Sequence, residues 1–380
     1  MQLKNILITG GAGFIGSRLA IKLKNLGYSV TVLDNLSTQI HGENPEKDSP
    51  LFRSVSGKIN FIKGDVTNRN DVEKAIENQD AIIHLAAETG TGQSMYEIEK
   101  YSRVNVSGTA LILDVLVNKK NSLKKFVLAS SRAVYGEGKY RDLQSKNIYP
   151  KQRKVDLMQQ AIFEMTDENG EILQPLPTDE NSHLHPTSFY GITKLQQEQM
   201  VEMVCRSVNI DFVILRYQNV FGVGQSLLNP YTGILSIFST QILNGNSINV
   251  FEDGMPTRDF INIDDTVEAT VRSLEMESAN NQIINVGTGI ATSVLSIAEL
   301  LVEKYGKKTK VNVSGDFRMG DIRHNFADLS KMKYLLDFEP KVHLHQGVKE
   351  FAEWVLQQPV HENNFNRSLE EMKEKGFLKS

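Results

Sequence analysis

Short apolar runs alternate with longer mixed stretches along the first half of the chain. Asn5–Thr9 (NILIT), 29–33 (SVTVL), 59–62 (INFI), 81–85 (AIIHL) and 125–129 (KFVLA) are almost free of charge. Runs of this kind suit strands buried on both faces. The segments between them are rich in Leu, Ala, Lys and Glu, which favour helix. Strand, helix, strand at this spacing predicts right-handed βαβ units and therefore a parallel sheet. Residues 211–216 (DFVILR) predict a sixth strand. Beyond about residue 225 the pattern turns to short, irregular strands and helices, as a smaller second lobe would require. No repeat or low-complexity segment interrupts it.

Two segments depart from the rhythm. Residues 137–181 are polar, with a basic run KQRK at 151–154 and a turn at Asn169-Gly170. They predict an inserted surface loop with one short helix around 155–164, and the basic run reads as a solvated face. The strongly charged tail from His361 predicts a peripheral helix.

A chain of 380 residues can bury a large core and carry a smaller lobe beside it. Its net charge of −4 gives no attraction for nucleic acid or an anionic membrane. The single cysteine, Cys205, excludes an intramolecular disulfide and a cysteine-based zinc site, and fits a reducing cytoplasm. Met1-Gln2-Leu3-Lys4 runs directly into a strand without a signal-peptide pattern, and no apolar run approaches a membrane span. Cys205, late in a helical pattern, reads as packing.

Thr9-Gly10-Gly11-Ala12-Gly13-Phe14-Ile15-Gly16 ends the first strand and opens a helix. Glycines spaced in this way permit a tight turn and let main-chain N–H groups approach a pyrophosphate. Strand before and helix after are what the mechanism needs. The second strand ends in Asp34-Asn35, where a carboxylate can hold both adenosine ribose hydroxyls and repel a 2′-phosphate. Asp34 thus argues for NAD over NADP. Asp65-Val66 ends the third strand, and the Asp65 carboxylate could meet the adenine amino group.

Tyr190 and Lys194 are four apart at the start of a helical pattern, hence on one helix face. A free phenol titrates near pH 10 and is a weak base at neutral pH; a nearby ammonium stabilises its anion. The fifth strand ends Ser130-Ser131-Arg132-Ala133. That places a hydroxyl at the carboxyl edge of the sheet, where ligands bind in such folds. His84, within the fourth strand, reads as structural.

These motifs, with HLAA, NVSGT, LRYQNVFG, TRDFINIDD, INVGTG and RMGDIRHNFAD in order, resemble those of the extended short-chain dehydrogenase/reductases, sugar-nucleotide epimerase/dehydratase family. The resemblance spans nearly the whole chain. It implies an α/β fold: a Rossmann-type doubly wound parallel sheet with a smaller C-terminal α/β substrate-binding lobe. Residues 1–198, about 209–224 and 257–287 would form the NAD-binding domain, with the insert at 137–181; about 225–256 and 288–380 would form the lobe. It further implies a triad of Ser131, Tyr190 and Lys194. Gly10, Gly13, Phe14, Ile15, Gly16, Asp34, Asn35, Asp65, Val66, Leu85, Ala86, Ala87 and Asn105 would join Tyr190 and Lys194 around NAD. Glu88, Ser131, Tyr190, Asn219, Arg258, Arg318 and Asp321 would meet the nucleotide sugar, the two arginines gripping its pyrophosphate. No metal is implied. The family commonly dimerises through the helices carrying the Asn105 and Tyr190 motifs, and 110–117 and 195–204 have apolar residues on more than one face, so a homodimer is expected. Gln218 and Val223-Gly224 depart from the family pattern, which has an aromatic residue and Pro-Arg there.

Family reactions begin by oxidising C4 of the sugar. Water elimination then needs an acid–base pair directly after the triad hydroxyl, where this chain has Arg132 and Ala133, neither of which shuttles protons at neutral pH. The expected reaction is therefore C4 epimerisation. Segments 92–98, 134–141 and 229–233 resemble the bacterial dTDP-L-rhamnose 4-epimerase type, implying conversion of dTDP-L-rhamnose to dTDP-6-deoxy-L-talose. UDP-sugar epimerisation, 4,6-dehydration, net 4-keto-sugar reduction and non-catalytic sugar-nucleotide sensing are the alternatives.

Overall fold

A computed structural model describes residues 3–231, 233–360 and 365–379. Seven strands form the central sheet: β1 (Asn5–Thr9), β2 (Ser29–Asp34), β3 (Asn60–Lys63), β4 (Ala81–His84), β5 (Lys125–Ser131), β6 (Asp211–Tyr217) and β7 (Gln282–Val286). Every pair is parallel, in the order β7-β6-β5-β4-β1-β2-β3. The first six match the predicted runs to within a residue or two at their ends. The seventh runs into the INVGTG motif, whose periodicity alone does not predict a strand.

β1 pairs with both β2 and β4, so the chain leaves β1 on one side and returns on the other. At such a switch point the loops diverge and open a crevice. The helices α1 (Phe14–Asn25), α2 (Gly108–Asn118), α3 (Phe189–Ser207) and α4 (Ile263–Glu275) cover the sheet. Apolar residues on the two sheet faces enter two separate clusters, with Ile6, Ile8 and Val32 in one and Leu7, Leu33 and Ile82 in the other. Burial of both faces is why the strands read as continuous apolar runs.

A third cluster, including Phe221, Phe238, Ile297, Leu301 and Phe351, forms the core of the smaller lobe. The expected division needs one correction. Ala327, Leu329, Met332, Leu336 and Phe338 pack into the sheet's own core, although they fall within the segment assigned to the lobe.

The 137–181 insert is more than a surface loop. Lys139–Arg141 pairs antiparallel with Asn147–Ile148 and with Gln174–Leu176. Tyr140, Met165 and Leu173 form a small core beneath them. Its helix spans Val155–Gln159, shorter than the predicted 155–164. Among the described residues no helix is long and apolar enough to cross a membrane.

Candidate active site

A cleft of about 550 Å³ opens at the carboxyl edge of the sheet, between sheet and lobe. Its cofactor end is built on the glycine turn. Gly10 has φ +68°, and a Cβ there would stand 2.7 Å from the Ala86 main-chain nitrogen. A Cβ on Gly16 would stand 2.3 Å from the Gly10 carbonyl oxygen. Side chains at either position would push apart β1, α1 and the loop after β4. The N-terminus of α1 has no side-chain cap, whereas Ser188 caps α3 and Asn262 caps α4. The first N–H groups of α1 are thus left for an anion.

Asp34 accepts hydrogen bonds from the main-chain nitrogens of Ala12 (2.9 Å) and Leu36 (2.9 Å). This ties the end of β2 to the glycine turn and fixes the carboxylate on the cleft wall. Gly10, Gly13, Phe14, Ile15, Gly16, Asn35, Val66, Leu85, Ala86 and Ala87 line the same end. Turn, uncapped helix and fixed carboxylate suit the pyrophosphate and ribose of NAD.

The three predicted catalytic side chains meet in the middle of the cleft. Ser131 ends β5, and Tyr190 and Lys194 lie on the first turns of α3. The Tyr190 hydroxyl is hydrogen-bonded to Ser131; burial raises its pKa, opposed by that bond and by the Arg132 charge. Burial pushes Lys194 down to about 7. Its ammonium donates to the Ala129 carbonyl at 2.8 Å. Behind it, Glu198 receives both Arg216 Nη2 (2.7 Å) and Nε (3.0 Å) as well as the Ser130 hydroxyl. His84 is buried between the hydroxyls of Thr9 (2.6 Å) and Thr109 (2.9 Å). Burial and the adjacent Lys194 hold it neutral, at about 3. Cys205 is buried in the core.

At the lobe end stand Asn219, Arg132, Arg258, Arg318 and Asp321. Arg258 donates to three main-chain carbonyls: Thr257 (2.8 Å), Arg323 (3.0 Å) and Ile322 (2.7 Å). Arg318 grips Asp321 through Nε (2.8 Å) and Nη2 (2.6 Å). Arg132 donates from Nε to Asn219 Oδ1 at 2.9 Å.

Behind this wall lies an ion cluster that the sequence did not reveal. Arg153, from the basic run read as solvated, is buried. It binds both oxygens of Glu252 (2.8 and 2.7 Å) and lies 3.4 Å from Glu137. Arg323 binds Glu252, Asp253 and Glu164. The cluster fastens the insert to the lobe. Nothing local in KQRK distinguishes the residue whose partner lies 99 positions away.

The expected peripheral tail is also part of the site. Residues 361–364 lie outside the described residues, as does Thr232 of the 229–233 motif. The helix Phe365–Glu374 places Phe365 on the cleft wall. Glu371 accepts from the hydroxyls of Tyr231 (2.8 Å), which lines the cleft, and of Tyr96 (3.4 Å). The strand Leu378–Lys379 pairs antiparallel with Phe317–Arg318.

Two expected cofactor residues do not line the cleft. Asn105 is fully buried; its amide bonds both the main-chain N–H and the carbonyl of Glu88 and donates to Thr193, so it braces the wall from behind. The Asp65 carboxylate accepts from Asn35 (2.9 Å) and Thr67 (2.7 Å). Burial opposes its charge, but these bonds win and hold it below the usual range. Glu88 does line the cleft, with Lys100 3.5 Å away. Among the described residues no group of three His, Cys, Asp or Glu side chains could hold a metal.

Comparison with known proteins bears on this geometry. The profile of the NAD dependent epimerase/dehydratase family matches residues 6–287. The chain belongs to that family. A dTDP-L-rhamnose 4-epimerase from Burkholderia thailandensis is 38% identical over 357 residues, covering 93% of this chain and 96% of that protein. A UDP-glucose 4-epimerase from Bacillus subtilis is 30% identical over 369 residues, 92% and 96% of the two chains. The crystal structure of a Bacillus cereus UDP-glucuronic acid 4-epimerase, solved with UDP-glucuronic acid and NAD, superposes with a TM-score of 0.75 at 28% identity, covering 93% of this chain and 99% of that one. This epimerase/dehydratase family member is accordingly an NAD-dependent enzyme.

Proposed function

We propose that the enzyme inverts C4 of a nucleotide-linked sugar, with dTDP-L-rhamnose as substrate and dTDP-6-deoxy-L-talose as product. The observation that carries this reading is the absence, among the described residues, of a free acid–base group beside Tyr190. Arg132 and Ala133 occupy the two positions after Ser131 and face the cleft. Each carboxylate on the wall has another role: Asp34 at the cofactor end, Glu88 near Lys100, Glu252 bound by Arg153 and Arg323, and Asp321 bound by Arg318. Elimination of water therefore lacks its proton shuttle, while inversion needs only the triad. The 38% identical rhamnose epimerase supports the sugar and the base.

In this reading Tyr190 removes the proton from O4 and later returns it, and Ser131 holds the same oxygen. NAD, when bound, supplies the acceptor and donor of the C4 hydrogen. Lys194 orients the cofactor side of the site. Arg258 and Arg318, already fixed by protein acceptors, anchor the diphosphate while the keto sugar turns over. The helices α2 and α3 would pair two copies of the chain: Val117, Ile192 and Met203 are exposed apolar residues on them. Light scattering at micromolar concentration checks this pairing, and a monomer refutes it.

Incubation with dTDP-L-rhamnose should yield a species of identical mass with altered proton couplings around C4, without net consumption of added NAD. A product lighter by water or carbon dioxide overturns the epimerase reading. Inversion of a different nucleotide sugar in place of dTDP-L-rhamnose overturns the substrate alone.

A further inference from the structure

The three cleft arginines at the lobe end differ in how their N–H groups are used. A guanidinium carries five donors. Arg258 uses both terminal nitrogens on main-chain carbonyls, and Arg318 is forked onto the Asp321 carboxylate. Arg132 is held only through Nε, by the neutral amide oxygen of Asn219. Among the described residues neither of its terminal nitrogens has a protein acceptor, and no carboxylate forms an ion pair with it. It nonetheless lines the cleft directly after Ser131. The positive Arg258 is close, and the nearby carboxylates do not touch it: Asp321 is held by Arg318, and Glu137 lies against Arg153. Burial, followed by the Arg258 charge, pushes Arg132 down to about 9.

A partly buried, preoriented guanidinium with both terminal nitrogens free fits an oxyanion bidentately. We propose that Arg132, beside Arg258 and Arg318, binds an oxyanion at the sugar end of the cleft, either the phosphate that carries the sugar or a carboxylate on the sugar itself. The inference rests on reading the cleft as a sugar-nucleotide site but not on which reaction follows. Arg132 would thus act in place of the missing acid–base pair, making contact where a dehydratase would move a proton. The Asn219 amide sets its direction.

Titration calorimetry on the NAD-loaded enzyme tests this without turnover. The probes are dTDP, dTMP, UDP and UMP, then UDP-glucose and UDP-glucuronate. In the wild type the second phosphate should tighten binding. Arg132→Met should weaken the diphosphates about ten- to a hundred-fold and leave the monophosphates within two-fold; Arg132→Lys should recover part of the loss. If instead the loss is confined to UDP-glucuronate, the oxyanion is the sugar carboxylate. The proposal is overturned if both variants bind every probe within two-fold of wild type, or if monophosphates weaken as much as diphosphates; a second phosphate that adds nothing in the wild type overturns the phosphate arm and leaves the UDP-glucuronate comparison to decide. Should Arg132→Met fail to fold, Arg132→Lys decides by the same comparison. A chain that inverts no sugar yet loses diphosphate affinity on substitution refutes the epimerase reading and keeps this one.

Discussion

The Lys194 ammonium donates to the Ala129 carbonyl at 2.8 Å, so this lysine of α3 is fastened to β5 two residues before Ser131. Its pKa of about 7 in the fold contrasts with about 10.4 in an unfolded chain. Between those values the unfolded chain holds a proton that the folded one has released, so stability rises with pH there. Wild type should gain on Lys194→Met by about 2 kcal/mol between pH 7 and pH 9. Denaturant melts at the two pH values check this; a pH-independent difference between the proteins refutes it.

Tyr190→Phe keeps the ring that packs edge-on to Tyr101 and removes the hydroxyl bonded to Ser131. Turnover should fall by about 10²- to 10⁴-fold while dTDP affinity stays within about three-fold of wild type. Near-normal turnover would assign the base elsewhere.

Asp34→Ala removes the carboxylate proposed to hold the ribose and also the acceptor of the Ala12 and Leu36 N–H groups. NAD affinity should drop about ten-fold or more, the preference over NADP should shrink, and the melting temperature should fall. Fluorescence titration with both dinucleotides reads the first two effects. A wild type that binds NADP as well as NAD contradicts this reading of Asp34.

The architecture was legible because its cause is local. A strand buried on both faces must be apolar throughout, and six of the seven strands could be read directly. Ser131, Tyr190 and Lys194 were found by motif, and the fold brings them together. What escaped depends on distant partners. Arg153 and Arg323 look like ordinary charges until Glu252 is folded between them. In the tail, Phe365, Ser368 and Met372 are buried at positions i, i+3 and i+7, a spacing masked by the surrounding Lys and Glu. Asn105 was placed beside the cofactor by resemblance; its hydrogen bonds put it behind the wall.

Glu371 joins Tyr96 to the cleft-lining Tyr231. Glu371→Ala should raise KM for the nucleotide sugar several-fold and leave kcat within about two-fold, because Glu371 holds the cleft-lining Tyr231 and touches none of Ser131, Tyr190 and Lys194. Steady-state kinetics decide it; a fall in kcat at constant KM would place the tail in the chemical step.

The pairing of Leu378–Lys379 with Phe317–Arg318 also fixes an order of assembly. Residues 365–379 follow every other segment of the wall along the chain, so on the ribosome they emerge after the sheet and most of the lobe. A nascent chain stopped before residue 365 can form the cofactor end but lacks Phe365, Glu371 and the strand beside Arg318. Capacity to bind dinucleotide should therefore arise earlier in synthesis than capacity to hold the sugar nucleotide.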